Sequence, residues 1–334
     1  MKRHWSFIAA ALMLSAVGLS AGEQIQWHGY DRAIELKNDS IRVVLCPQVG
    51  GRVLEYSING KNALYVSEQE REWTPGKRAP SSAGRFDIGP ELVIPRRNSL
   101  WNGEWTAEIT GARSAVLTSP ADSATGVQLT RHFVLDDESS RLVCRQTIRN
   151  TSGKVQEWCH WSRTFAVGKG VCVIPLTDEK AGPMSRFPHK YVMYEEGSLI
   201  NFRPEDPAIR MADNALHIYP TPRKPKLGFD SYAGVIAYYS PNDLLFVKRF
   251  RTFPNRVYNE AAGLTISVWY PDREMVELEP IGPRQRLESG EAAAFTEEWW
   301  LTEEEFPGLE GTVDLKRLSK SLQSLKSARR FRRM

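Results

Sequence analysis

The chain has 334 residues, 41% hydrophobic and 25% charged, with 24 glycines and 20 prolines, a composition that excludes disordered, collagen-like and multi-span membrane architectures. Its formal net charge of +4 is unevenly spread: Lys2 and Arg3 precede the first apolar run, and eight basic residues with no acid fill 315–334, leaving 23–314 at net −6. An acidic body of this kind argues against a nucleic-acid partner, because phosphate binding needs a basic face on the folded domain itself.

In chain order, Lys2, Arg3 and His4 lead into an apolar run over 6–19 that ends in Ser20, Ala21 and Gly22. That run is shorter than the roughly 20 residues a spanning helix needs, and small residues stand where a signal peptidase cuts, so residues 1–22 read as a secretory signal and the destination as periplasmic or secreted. A retained N-terminal anchor is the alternative. The β-branched and aromatic runs at 41–45, 52–58, 63–65, 105–110, 127–135, 141–149, 155–166, 234–239, 244–251, 265–270, 275–279 and 293–301 predict strands, separated by turn signals such as Asn59-Gly60 and Ser289-Gly290. Helical periodicity is almost absent before the end of the chain. The expected fold is therefore all-β, a large antiparallel β-sandwich over 23–310, with no linker or internal repeat dividing it.

Residues 66–104 and 173–230 are rich in Pro, Gly, Arg and Lys without alternation, and loops this long are the place to look for ligand contacts. Asn150-Thr151-Ser152-Gly153 between two strand runs predicts a hairpin that places Cys144 opposite Cys159, where a cross-strand disulfide is one option and buried free thiols the other. At the end, Leu315, Leu318, Leu322 and Leu325 fall at helical spacing within 311–334. They predict either a short basic amphipathic helix able to rest on an anionic membrane surface or a solvated tail.

No phosphate-cradling loop, dinucleotide fingerprint, zinc-protease helix or serine-hydrolase elbow is present, and the histidines have no local metal-ligand spacing, so neither a cofactor nor a metal site is expected, a site assembled across strands being the alternative. Ten tryptophans and eleven tyrosines suit either core packing or the apolar faces of sugar rings. The run MVELEPIGP at 275–283 is the most informative. Alternation puts Glu277 and Glu279 on one strand face and Val276 and Leu278 on the other, and paired acids shift each other's pKa toward values useful for proton transfer.

Four segments resemble the galactose mutarotase-like superfamily, the fold of aldose 1-epimerases, and in particular its DUF4380-like bacterial branch. They are the Gly-rich hairpin over 41–62, the Asn-Thr-Ser and His run over 142–160, the acid-bearing strand at 275–283, and the closing run from Leu287-Glu-Ser-Gly-Glu to Trp300. The resemblance implies a supersandwich that binds a small sugar or glycan, with acid–base chemistry at the anomeric centre: Glu279 as base, Glu277 in reserve, His160 as acid. It also implies hydroxyl contacts from Arg85, Asp87 and Glu91, with Arg52 and Lys248 as weaker candidates. A carbohydrate-binding or structural domain that has lost turnover is the alternative.

Overall fold

A computed structural model describes residues 22–327 apart from 181, 197, 198, 273, 311 and 312. The expected signal segment lies outside the described residues except for Gly22. The strands form two antiparallel sheets, one of thirteen and one of ten strands among the described residues. The larger runs through Glu23–Trp27, Tyr30–Lys37, Ile41–Cys46, Arg52–Ile58, Gly84–Gly89, Gln156–Val167, Met275–Pro280, Ile266–Trp269, Lys226–Phe229, Val192–Tyr194 and Ile200–Asn201. The smaller is centred on Leu244–Phe250, Ala292–Glu303 and Leu142–Asn150.

The sheets face each other across a core where Trp299 from the smaller sheet stacks on Phe86 from the larger at 5.7 Å, with Tyr56, Phe133 and Phe246 around them. Val127–Leu135 alternates strictly between buried and half-buried positions, as a strand with one solvated face must. Gly84–Gly89 is buried at all six positions. Its outer face lies under the loops that precede and follow it, which is why it carries no alternation by which the sequence could reveal a strand.

The hairpin expected around Thr151 does not form. Leu142–Asn150 pairs with Val127–Leu135 and Ala292–Glu303 in the smaller sheet, whereas Gln156–Val167 pairs with Gly84–Gly89 and Met275–Pro280 in the larger. The turn therefore carries the chain from one sheet to the other, and Cys144 and Cys159 lie in different sheets; all four cysteines are buried free thiols. The helix Leu315–Ser327 does form, and it is docked. Val313 and Leu318 are buried against Tyr239, Val247 and Trp300 on the outer face of the smaller sheet, and Arg317 pairs with Glu304 at 2.6 Å.

Candidate functional site

Register decides which side chains share a face. Trp161 stands opposite Asp87 and Arg163 opposite Arg85; Glu277 lies between Phe165 and Trp269, Glu279 opposite Ser267, and Trp269 opposite Lys226. Directly paired residues of antiparallel strands point to the same side. These groups therefore line the outer face of the larger sheet, while the intervening His160, Ser162, Thr164 and Leu278 point into the core between the sheets.

On the outer face, cations and indoles alternate in a row. The Arg85 guanidinium lies 4.3 Å from the Trp101 ring, Arg163 lies 5.0 Å from Trp101 and 4.4 Å from Trp161, and the Lys226 ammonium lies 5.2 Å from Trp161. Carboxylates back the row. Arg163 Nε donates to Glu277 Oε1 at 2.6 Å, Lys226 Nζ donates to both oxygens of Glu279 at 2.7 and 2.8 Å, Trp161 Nε1 donates to Glu279 Oε2 at 2.6 Å, and Arg97 Nε donates to Asp87 at 2.7 Å. Such charge-assisted contacts, desolvated and stacked on aromatic faces, hold each cation in one orientation.

Burial raises the Glu279 carboxyl to about 8; Lys226 opposes the shift and Glu277 adds to it. Burial would depress the Lys226 ammonium, but Glu279 and Glu91 override it and hold that group above the usual lysine range. Arg163 is likewise desolvated and held charged by Glu277. Glu260, pushed up by burial, accepts from the Glu91 backbone N–H at 2.8 Å. Near it the buried Tyr194 hydroxyl has no hydrogen-bond partner among the described residues, and its pKa is raised by burial and by Glu260, Glu91 and Glu279.

Beside this row opens a cleft of about 1180 Å³, with Arg97, Trp101, Arg163 and Trp269 along one side and the segments 73–81 and 96–104 as walls. Both walls come from the loop stretch singled out in the sequence. They are tied down from beneath. Glu70 is completely buried and accepts from Arg52, Tyr30 and Ser82, which anchors the first loop. Arg85 donates to the carbonyls of Pro80 at 2.9 Å and Trp101 at 3.0 Å, joining one wall to the other.

The structure brings together Glu277, Glu279, Arg85 and Asp87 on one face, with Glu91 at its rim, 3.5 Å from Lys226. It does not bring His160 there. The His160 ring packs on Phe295 of the smaller sheet at 5.7 Å, and burial pushes its pKa down to about 3 against the opposing backbone of Ala293 and Gln146. An imidazole so placed does not reach the carboxylates and stays neutral, without the imidazolium proton a general acid gives up. Lys248 is also in the core: it pairs with Glu297 at 3.1 Å and donates to Ser162, Thr164 and the Leu278 carbonyl. Arg52 lies on the outer side but is spent on Glu70, with no exposed surface. The groups the sequence reading passed over are Trp101, Arg97, Arg163, Lys226 and Trp269. Arg163 carried a usable signal, since a cation three residues from His160 must face the opposite way, toward the two acids.

No protein-family profile and no curated protein matches the chain. Solved structures do match. A candidate aldose 1-epimerase from Escherichia coli K12 is 11% identical with a TM-score of 0.54, the match covering 81% of this chain and 99% of that one. A galactose mutarotase-like protein from Lactobacillus casei is 11% identical with a TM-score of 0.56, over 81% and 100% of the two chains. A protein from Synechocystis is 14% identical with a TM-score of 0.55, over 84% and 100%. At these identities the likeness is one of fold, and the fold is the galactose mutarotase-like sandwich.

Proposed function

We propose that the chain is an exported carbohydrate-binding protein whose ligand lies on the outer face of the larger sheet, and that it does not catalyse anomeric exchange. Proteins of this fold named for mutarotase activity support a sugar as ligand. So does the chemistry of the cleft: Trp269 is half-buried and carries no stacked ring or cation among the described residues, which leaves an indole face free for the C–H face of a pyranose. Arg97 and Arg163, 15% and 16% exposed, offer N–H donors to hydroxyls alongside it. Export rests on the composition of residues 1–22, and a mature N-terminus at or beside Glu23 is the expected outcome of sequencing the protein from the exported fraction.

One observation favours binding over turnover. Glu277 and Glu279 have no exposed surface and already accept from Arg163, Lys226 and Trp161, while the histidine expected as their acid partner faces the other way. General acid–base catalysis needs both groups within hydrogen-bonding reach of the same substrate atoms. Here the acids serve as counter-ions that fix the cations above them.

Two measurements test the reading. Tryptophan fluorescence titration against a panel of neutral and acidic oligosaccharides is expected to show saturable binding that Trp269→Ala weakens at least tenfold; no binding by any member would sink the carbohydrate reading. Exchange NMR of galactose and glucose anomers is expected to show the uncatalysed rate. Acceleration that disappears in Glu279→Gln would instead restore the epimerase reading.

A further inference from the structure

We infer that the cleft takes an acidic oligosaccharide, with its anionic groups held by Lys77, Arg78 and Arg96; this rests on the carbohydrate reading above and names the class of sugar. The first observation is charge. Three cations at the cleft have acids of their own: Arg32 meets Glu104 at 2.6 Å, Arg97 meets Asp87 and Arg163 meets Glu277. Lys77, Arg78 and Arg96 also line it, are exposed, and form no ion pair among the described residues. They come from both walls, so their charges converge on the space between.

The second observation is that these cations stand on built supports. Trp73, stacked on Tyr30 at 4.4 Å and 7° between planes, donates from Nε1 to the Lys77 carbonyl at 2.8 Å and so fixes the turn that carries Lys77 and Arg78. Tyr30 in turn hydrogen-bonds the buried Glu70, which Arg52 also holds. Arg96 adjoins Arg97, whose guanidinium is held by Asp87. Fixing the backbone that carries these cations in advance lowers the entropy lost when a ligand binds. A carboxylate or sulfate ester forms charge-assisted hydrogen bonds with these exposed cations that a neutral sugar does not.

The third observation is size. A cleft of about 1180 Å³ exceeds the roughly 300–1,000 Å³ typical of single small-molecule sites. It leaves room beyond the ring stacked on Trp269 for further units reaching toward Arg78 and Arg96. The binding elements are then an indole for one ring and a cationic trough for the acidic groups of its neighbours.

Isothermal titration calorimetry on the mature-length protein distinguishes the outcomes, with four probes: a short oligogalacturonate, its fully methyl-esterified form, a heparin-derived oligosaccharide of equal length, and inorganic sulfate. The oligogalacturonate or the sulfated chain, whichever carries the matching anion, is expected to bind at least tenfold tighter than the methyl ester. That preference is expected to shrink as salt rises. Arg78→Gln with Arg96→Gln, both exposed and checked for fold by near-ultraviolet circular dichroism, is expected to bring the acidic probe down to the methyl ester's affinity. Equal affinity for the acidic and esterified chains overturns this inference and leaves the carbohydrate reading standing. Inorganic sulfate binding as tightly as the oligosaccharides overturns it as well, since the trough is then a simple anion site. If no probe binds, this inference falls, while the carbohydrate reading is decided by the wider fluorescence panel.

Discussion

His160 is 1% exposed between the two sheets, its ring packed on Phe295. Burial pushes its pKa down to about 3, with the nearby backbone of Ala293 and Gln146 opposing. The folded protein therefore keeps it neutral at pH values where the unfolded chain, with an ordinary value near 6.5, takes up a proton. Stability is lost as pH falls from about 6.5 toward 3, by about 2 kcal/mol at pH 5 from this one group. His160→Leu removes the penalty while filling similar space. Urea unfolding at pH 7 and pH 5 is expected to show the variant losing about 2 kcal/mol less than wild type between the two, and an unchanged difference would refute the buried-neutral assignment. The same residue shows why part of the site was hidden in the sequence. Strand side chains alternate with period two, so a phase error of one residue moves a group through the sheet. Glu277 and Glu279 were legible because alternation alone puts them together. His160 was chosen by a motif, and Trp161, its neighbour, is the one that meets Glu279.

At the scale of elements, the turn after Leu142–Asn150 carries the switch between sheets, and Asn150 holds it. Its Nδ2 donates to the carbonyls of Lys154 at 2.7 Å and Leu287 at 2.9 Å, while Oδ1 accepts from the Ser152 N–H and hydroxyl at 2.9 and 2.8 Å. The residue is fully buried, so Asn150→Ala removes four hydrogen bonds, the one to the Leu287 carbonyl in a buried setting, and is expected to cost about 2 kcal/mol in chemical denaturation. Asn150→Asp keeps the acceptor but sets a buried carboxylate oxygen against the carbonyls of Lys154 and Leu287, and is expected to cost at least as much as Asn150→Ala. A loss under about 0.5 kcal/mol for Asn150→Ala would mean the crossing is held elsewhere. The turn chemistry was plain in the sequence; where the turn leads was not, because a hairpin and a crossover begin with the same residues. Gly84–Gly89 was missed as a strand for a related reason. Loops cover its outer face, so the polar–apolar contrast that marks a half-exposed strand is absent, and Arg85 and Asp87 look like loop residues although both are buried in the sheet.

Across the whole molecule the two sheets divide the work. The larger turns its outer face to the cleft, and the smaller covers its own outer face with the helix Leu315–Ser327. The all-β class and the sandwich were legible because strands such as Val127–Leu135 and Leu142–Asn150 in the smaller sheet alternate between buried and more exposed positions. The docking of the helix was not: leucines at helical spacing fit a membrane surface, a frayed end or a sheet equally well. Asp314 caps the helix by accepting from the Lys316 N–H at 2.8 Å, and Leu318 is 3% exposed beside Trp300. A residue used in this way is withdrawn from any membrane. Burying a leucine is worth about 1.5–3 kcal/mol, and 1 kcal/mol shifts the melting temperature of a large domain by about 2–4 °C. Leu318→Glu is therefore expected to lower the melting temperature by about 3–12 °C and to raise the binding of a hydrophobic dye, as Trp300 and Tyr239 are uncovered. An unchanged melting curve would mean that the helix contributes nothing to the sandwich, and its apolar stripe would then be free for another surface.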